Sequence, residues 1–172
     1  MPEKAGSNNR VLVVDDEKEI CSLIKRRLKG KGCEIEIAHD AQDAICKLYQ
    51  FKPAVILLDV RMPGLNGGEL LKMIRVFRPE VRVVMMTAWR DQKVKEECLA
   101  SGADAYFDKP LPFDALYDEI KKAFEGKEKP HAPLSEFEIH GAEIALKVLA
   151  RKNLITPDEL LEEIKRIKAR AQ

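Results

Sequence analysis

Residues 54–67 read Ala-Val-Ile-Leu-Leu-Asp-Val-Arg-Met-Pro-Gly-Leu-Asn-Gly, and this stretch decides the fold. Five apolar residues, Ala54–Leu58, run without a break into Asp59. An apolar run of that length suits a strand covered on both faces, as in a parallel sheet. Arg61–Gly67 is turn chemistry, with a proline, two glycines and an asparagine. Gly68–Phe77 then returns to helical spacing, and Pro79 ends it. Upstream, Pro53 cuts the stretch from the helical pattern of Ala41–Phe51.

The same unit recurs on both sides. Arg10–Asp15 carries Val11-Leu12-Val13-Val14 into Asp15 and Asp16, and the helical stretch Glu17–Lys29 follows, closed by Gly30 and Gly32. Cys33–Ala38 alternates Ile35 and Ile37 with Glu34 and Glu36, the period of a half-covered strand. Val81–Met86 runs into Thr87, and Asp91–Ser101 is helical up to Gly102. Ala103–Phe107 runs into Asp108-Lys109-Pro110, and Pro112–Glu125 is helical up to Gly126. Five strand-then-helix units between residues 9 and 125 predict an α/β fold, a five-stranded doubly wound parallel sheet with right-handed crossovers.

Such a sheet binds ligands beyond the carboxyl ends of its strands. Asp15 and Asp16, Asp59, Thr87 and Lys109 stand at four of those ends, so they should meet on one rim. Three carboxylates together repel one another, and at least one pKa should rise. A hard divalent cation such as Mg²⁺ resolves the repulsion with oxygen ligands. Lys109 adds a fixed charge and Thr87 a hydroxyl donor, which together suit the oxygens of a phosphoryl group. A carboxylate in that setting can itself be the nucleophile and form an acyl phosphate.

Composition narrows the classes. Thirty Lys and Arg against 29 Asp and Glu give a formal charge of +1, so no bulk basicity drives nucleic-acid or membrane binding. No apolar run approaches the roughly 20 residues of a membrane span, and Met1–Arg10 shows no secretory pattern. Cys21, Cys33, Cys46 and Cys98 form no CxxC pair. A cytoplasmic protein with reduced thiols is expected.

Residues 9–125 resemble the receiver domain of two-component response regulators. The resemblance rests on VLVVDDE (11–17), ILLDVRMPGLNG (56–67), VVMMTA (83–88), GADAY (102–106) and DKPL (108–111), each at the expected strand end, and it covers about two thirds of the chain. It implies a flavodoxin-like strand order, 2-1-3-4-5. It implies that Asp59 accepts a phosphoryl group from a phosphohistidine of a sensor histidine kinase. It further implies that Asp15, Asp16, Asp59 and the backbone carbonyl of Arg61 hold Mg²⁺, and that Thr87 and Lys109 contact the phosphoryl oxygens. Lys109-Pro110 matches the family's cis turn, and Tyr106 its aromatic switch position. Arg61 and Trp89 should flank the site entrance, where their bulk would slow hydrolysis of the acyl phosphate. A haloacid-dehalogenase-like phosphatase would need a second Asp where Arg61 stands.

The remaining residues read as a mobile N-terminus (1–8), a linker (126–134) and a helical hairpin (135–172). Ser135–Lys152 carries Ile139, Ala142, Leu146 and Leu149 as an apolar stripe, which Ile144, Ala145 and Val148 should broaden. Thr156-Pro157-Asp158-Glu159 is a helix start with a capping box, and Leu160, Ile164, Ile167 and Ala171 form a narrow seam. The run 147–164 also resembles a short hairpin at the start of nitrile hydratase α chains. A hairpin this small cannot stand alone, so its stripes must pack on the receiver, a second copy or a partner. Nine Lys and Arg against eight Asp and Glu from residue 126 onward speak against DNA binding. His140 lacks the bundle that a phosphotransfer site needs, while His39 and His131 read as surface loop residues. The expected function is a non-enzymatic, phosphorylation-dependent switch that binds a downstream protein and admits a homodimer. A transcription regulator with a DNA-contacting tail and a phosphorelay intermediate are the alternatives.

Overall fold

The computed structural model describes residues 8–126 and 134–170. The segments 1–8 and 126–134, which the sequence reads as a mobile N-terminus and a linker, lie almost wholly outside the described residues, His131 included. Five strands and five helices alternate as expected: β1 (Arg10–Val14), α1 (Lys18–Leu28), β2 (Glu34–Ala38), α2 (Ala41–Gln50), β3 (Val55–Asp59), α3 (Gly67–Phe77), β4 (Arg82–Thr87), α4 (Gln92–Ala100), β5 (Ala105–Asp108) and α5 (Phe113–Phe124). Two further helices follow, α6 (Glu136–Arg151) and α7 (Pro157–Ala169). The strands are all parallel, in the order β2-β1-β3-β4-β5.

Alternation along each central strand splits the interior into two cores. Leu12, Val14, Ile56, Leu58, Val83 and Met85 pack with α2 and α3 on one face. Val11, Val13, Val55, Leu57, Val84 and Met86 pack with α1 and α5 on the other. β3 is buried at every position, so its apolar run needs no polar face. β2 and β5 are edge strands and only partly covered. β5 begins two residues later than the sequence pattern suggests. There the Asp104 N–H still donates to the Val83 carbonyl at 2.8 Å, while its carboxylate accepts from the Val83 N–H at 2.7 Å and pairs with Arg75 at 2.8 Å, a side-chain staple beside one backbone bond.

Helix starts follow the local chemistry. The Asn66, Ser135 and Thr156 side chains each accept from the backbone of the residue three on, and Glu69, Glu138 and Glu159 reach back to complete capping boxes. Asn153 turns the chain between α6 and α7 with φ 55°, a conformation asparagine tolerates.

The hairpin closes on its own receiver. Ala142, Leu146, Leu149, Ile155 and Ile167 are buried in the core that also holds Leu70, Ile74, Phe77 and Tyr49. Both helices touch α3. Glu163, 7% exposed, sits between Arg78 and Arg166 at 3.0 Å from each. Arg78 also lies over the Tyr49 ring, 5.2 Å from its centroid. The Arg170 guanidinium donates to the carbonyls of Arg75 (3.3 Å) and Val76 (2.6 Å), satisfying the C-terminal end of α3. Of the three covers that the apolar stripes allow, the receiver is the one observed.

Candidate functional site

Each site residue is delivered by a strand end. β1 ends at Val14 and is followed by Asp15 and Asp16; β3 ends in Asp59, β4 in Thr87, and β5 in Asp108, one residue before Lys109. The parallel register aligns these ends: Val14 is level with Leu58, Asp59 with Met86, and Thr87 with Asp108. All five side chains named from the sequence therefore reach one rim.

Carboxylate oxygens of Asp15, Asp16 and Asp59 lie within 4.8 Å of one another. Asp15 is fully buried and Asp59 5% exposed, while Asp16 faces solvent. The Lys109 ammonium is 2.7 Å from Asp15, 3.1 Å from Asp59 and 3.4 Å from Glu17. The other Asp15 oxygen accepts from the Glu17 N–H at 2.9 Å, which fixes its rotamer. Burial pushes the Asp59 carboxyl up to about 6; Lys109 pulls it down and Asp15 pushes it further up. Burial disfavours the Lys109 ammonium, but the hydrogen bond to Asp15 and the charge of Asp59 outweigh it and lift Lys109 to about 12. Three carboxylates against one ammonium leave an excess of negative charge, with hard oxygen donors on a half-open rim. That donor set fits a divalent cation of the Mg²⁺ type.

The surrounding residues complete the shape. The Lys109-Pro110 bond is cis. The Thr87 hydroxyl, 2% exposed, accepts from the Trp89 N–H at 3.1 Å. The Tyr106 hydroxyl is buried close to Thr87, while its ring is only partly covered; burial raises its pKa and the Thr87 side chain lowers it. The Arg61 guanidinium lies 4.8 Å from the centroid of the Trp89 ring, and both side chains are exposed.

Three further contacts shape the site. A Cβ on Gly67 would fall 2.0 Å from the Asp59 carbonyl oxygen, so the turn glycine is what lets α3 start against the backbone of the phosphoacceptor candidate. His39, a loop residue in the sequence, places Nδ1 3.0 Å from the Asp15 carbonyl. Cys21 donates to that same carbonyl at 3.3 Å. The glycine belongs to the turn motif; His39 arrives from 24 residues away and Cys21 from six, and neither left a signal in the sequence.

The described residues hold no helix long and apolar enough to cross a membrane. A family model described as "Response regulator receiver domain" matches residues 11–121. The chain is 32% identical over 144 residues to a Salmonella typhimurium protein named "Transcriptional regulatory protein ZraR", covering 81% of this chain and 33% of that one. It is 35% identical over 116 residues to "Transcriptional regulatory protein TrcR" of Mycobacterium tuberculosis, covering 67% and 45%. It thus spans a third to under a half of these relatives. Among solved structures, a CheY-like receiver domain protein from Methanospirillum hungatei superposes with TM-score 0.65 at 32% identity, over 69% of this chain and 95% of that one. The receiver domain of a Francisella response regulator gives TM-score 0.64 at 32% identity, over 69% and 98%.

Proposed function

The chain belongs to the response regulator receiver family, and on that premise we propose that Asp59 accepts a phosphoryl group from the phosphohistidine of a sensor histidine kinase. The observation that carries this reading is the cluster itself: three carboxylates within 4.8 Å of one another and an ammonium 3.1 Å from Asp59. In the transfer, an Asp59 oxygen forms a bond to phosphorus as the phosphorus–nitrogen bond breaks, and the imidazole leaves and takes up a proton. Lys109 favours the ionised, nucleophilic form of Asp59. Thr87 and Lys109 offer donors to the new phosphoryl oxygens. Asp15, Asp16, Asp59 and the Arg61 carbonyl would hold Mg²⁺, which supplies positive charge to the phosphoryl oxygens as they move.

The output follows from how unevenly the helices are anchored. α4 buries a single side chain, Cys98, whereas α3 buries five residues. A lightly held α4 next to Thr87 and Tyr106 is the element that phosphorylation can shift, together with β5 and α5. We read the protein as a non-enzymatic switch that acts through protein contacts.

The names of the relatives favour a second reading, a role in transcription, and the expectation against DNA binding gains nothing from them. Within the hairpin, Arg166, Lys168 and Arg170 already contact Glu163, Glu143 and the end of α3. DNA affinity with a steep salt dependence would favour this second reading.

Phosphoramidate with Mg²⁺, followed by intact mass, tests the first. The full chain should gain one phosphoryl group and Asp59→Asn none, and EDTA should abolish the gain. An equal gain in Asp59→Asn would sink the assignment.

A further inference from the structure

Docking on the receiver leaves part of the hairpin unexplained. Of the five most exposed large apolar side chains among the described residues, three lie on it: Ile144, Val148 and Leu161. On α6, Ala142, Leu146 and Leu149 face inward. Gly141, Ile144, Ala145 and Val148 recur at i, i+3, i+4 and i+7 along the flank of that face, with Ile144 51% and Val148 43% exposed and Ala145, at the edge, also touching the core. A Cβ built on Gly141 meets nothing within 4 Å. Among the described residues nothing requires a glycine there, and glycine is a poor helix former.

We propose that this row of α6 pairs two copies of the chain, antiparallel about a twofold axis between Ile144 and Ala145. In that register Gly141 of one copy faces Val148 of the other, and Ile144 faces Ala145. Large meets small at every step, which is what close helix packing needs. The unexplained glycine then gives Val148 of the other copy the room it needs.

Charge selects a second copy and this orientation. Along α6 the acids come first, Glu136, Glu138 and Glu143; the bases come last, Lys147, Arg151 and Lys152. Lys168, 2.8 Å away, offsets the charge of Glu143; Glu136 and Glu138 keep theirs, Glu138 while capping the neutral Ser135. Antiparallel copies set each acidic end against a basic one and oppose the helix dipoles. Parallel copies would set like against like. The contact is isologous and closes at two. It is one row on a 16-residue helix, at the small end of specific interfaces, so the dimer is weak and concentration-dependent.

Sedimentation of the full chain in EDTA, without any phosphoryl mimic, tests this independently of the role of Asp59. The mass should rise with concentration toward twice the monomer, and more salt should weaken the rise. Ile144→Lys and Val148→Lys sit in exposed positions and should leave the circular dichroism unchanged, while each weakens dimerisation at least tenfold. Gly141→Leu should raise the melting temperature of the monomer and yet abolish the dimer, a pair of effects that a merely structural role would not produce. A chain that stays monomeric to millimolar concentration overturns the proposal. So does a dimer that these three substitutions leave intact.

Discussion

Without a bound cation, Asp59 should weaken the fold, and removing its charge should strengthen it. Its carboxyl rises from 3.8 to about 6, mainly because it is buried. A raised acid pKa in the folded state means that folding takes up a proton between these values. Stability therefore falls as pH rises through that window, and the deficit is complete above pH 6. A rise of about 2 pKa units corresponds to about 3 kcal/mol. Asp59→Asn removes this cost while keeping an oxygen that can accept from Lys109. The pull of Lys109 is already contained in that net rise; the amide's poorer fit in a site shaped for a carboxyl offsets part of the gain. We expect about 2 kcal/mol of added stability at pH 7.5 in EDTA, or about 4–8 °C in Tm for a chain of this size. At pH 4.5 the difference should shrink to about a third, because the folded parent is then mostly protonated at Asp59. Mg²⁺ should stabilise the parent by binding its folded state and leave the variant nearly unchanged. Urea melts at both pH values, with and without Mg²⁺, measure all of this. A variant no more stable than the parent in EDTA at pH 7.5, or a difference that persists in full at pH 4.5, would refute the reasoning.

Three other substitutions bear on separate parts of the molecule. Gly67→Ala puts a methyl 2.0 Å from the Asp59 carbonyl oxygen, so it should cost at least about 3 kcal/mol in denaturant melts and reduce phosphorylation; wild-type melting would show that the α3 start is not tight. Glu163→Ala leaves Arg78 and Arg166 without their shared carboxylate and should cost about 3 kcal/mol. Amide exchange should speed up in α6 and α7 and stay slow in the central strands; uniform acceleration would mean that the hairpin is not a separable unit. Trp89→Ala removes the ring beneath Arg61. An exposed contact of this kind is worth about 0.5–1 kcal/mol, so phosphate release from the phosphorylated chain should quicken about two- to fivefold. An unchanged release rate would count against a shielding role for the pair.

Most of the site was legible because each of its residues interrupts a pattern. Asp15, Asp59 and Thr87 each end an apolar run, and parallel topology converts "end of a strand" into "same rim" without further information. Contacts made sideways leave no such trace. Arg75 reads as one more charge on a helix, yet it reaches the Gly102 carbonyl, the Val81 carbonyl and the Asp104 carboxylate. These partners lie 6 to 29 residues away, and no periodicity encodes them. His39 and Cys21 meet at the Asp15 carbonyl for the same kind of reason. The sequence marks which positions are apolar, and polar cross-links between elements depend on where those elements finally rest.

The hairpin makes this division sharper. The turn and the Thr156–Glu159 capping box form as expected, and a second box forms at Ser135; the α6 stripe is narrower than expected, with Ile144 and Val148 exposed, and Ala171 of the α7 seam lies outside the described residues. Spacing says that a stripe must be covered and is silent on what covers it. Here the choice is made by polar residues that the stripes do not include. Glu163 looks like a solvated helix charge beside Glu162, but it lies on the same side as Ile167, within the seam. A carboxylate carried into that seam needs cations waiting for it, and Arg78 at the end of α3 is one of them. A second copy or an unrelated partner could cover leucines and isoleucines equally well. The α3 end of this receiver is suited to receive Glu163 and, two turns later, to give Arg170 the carbonyls of Arg75 and Val76. Apolar burial supplies the pull, and these charged contacts decide the address.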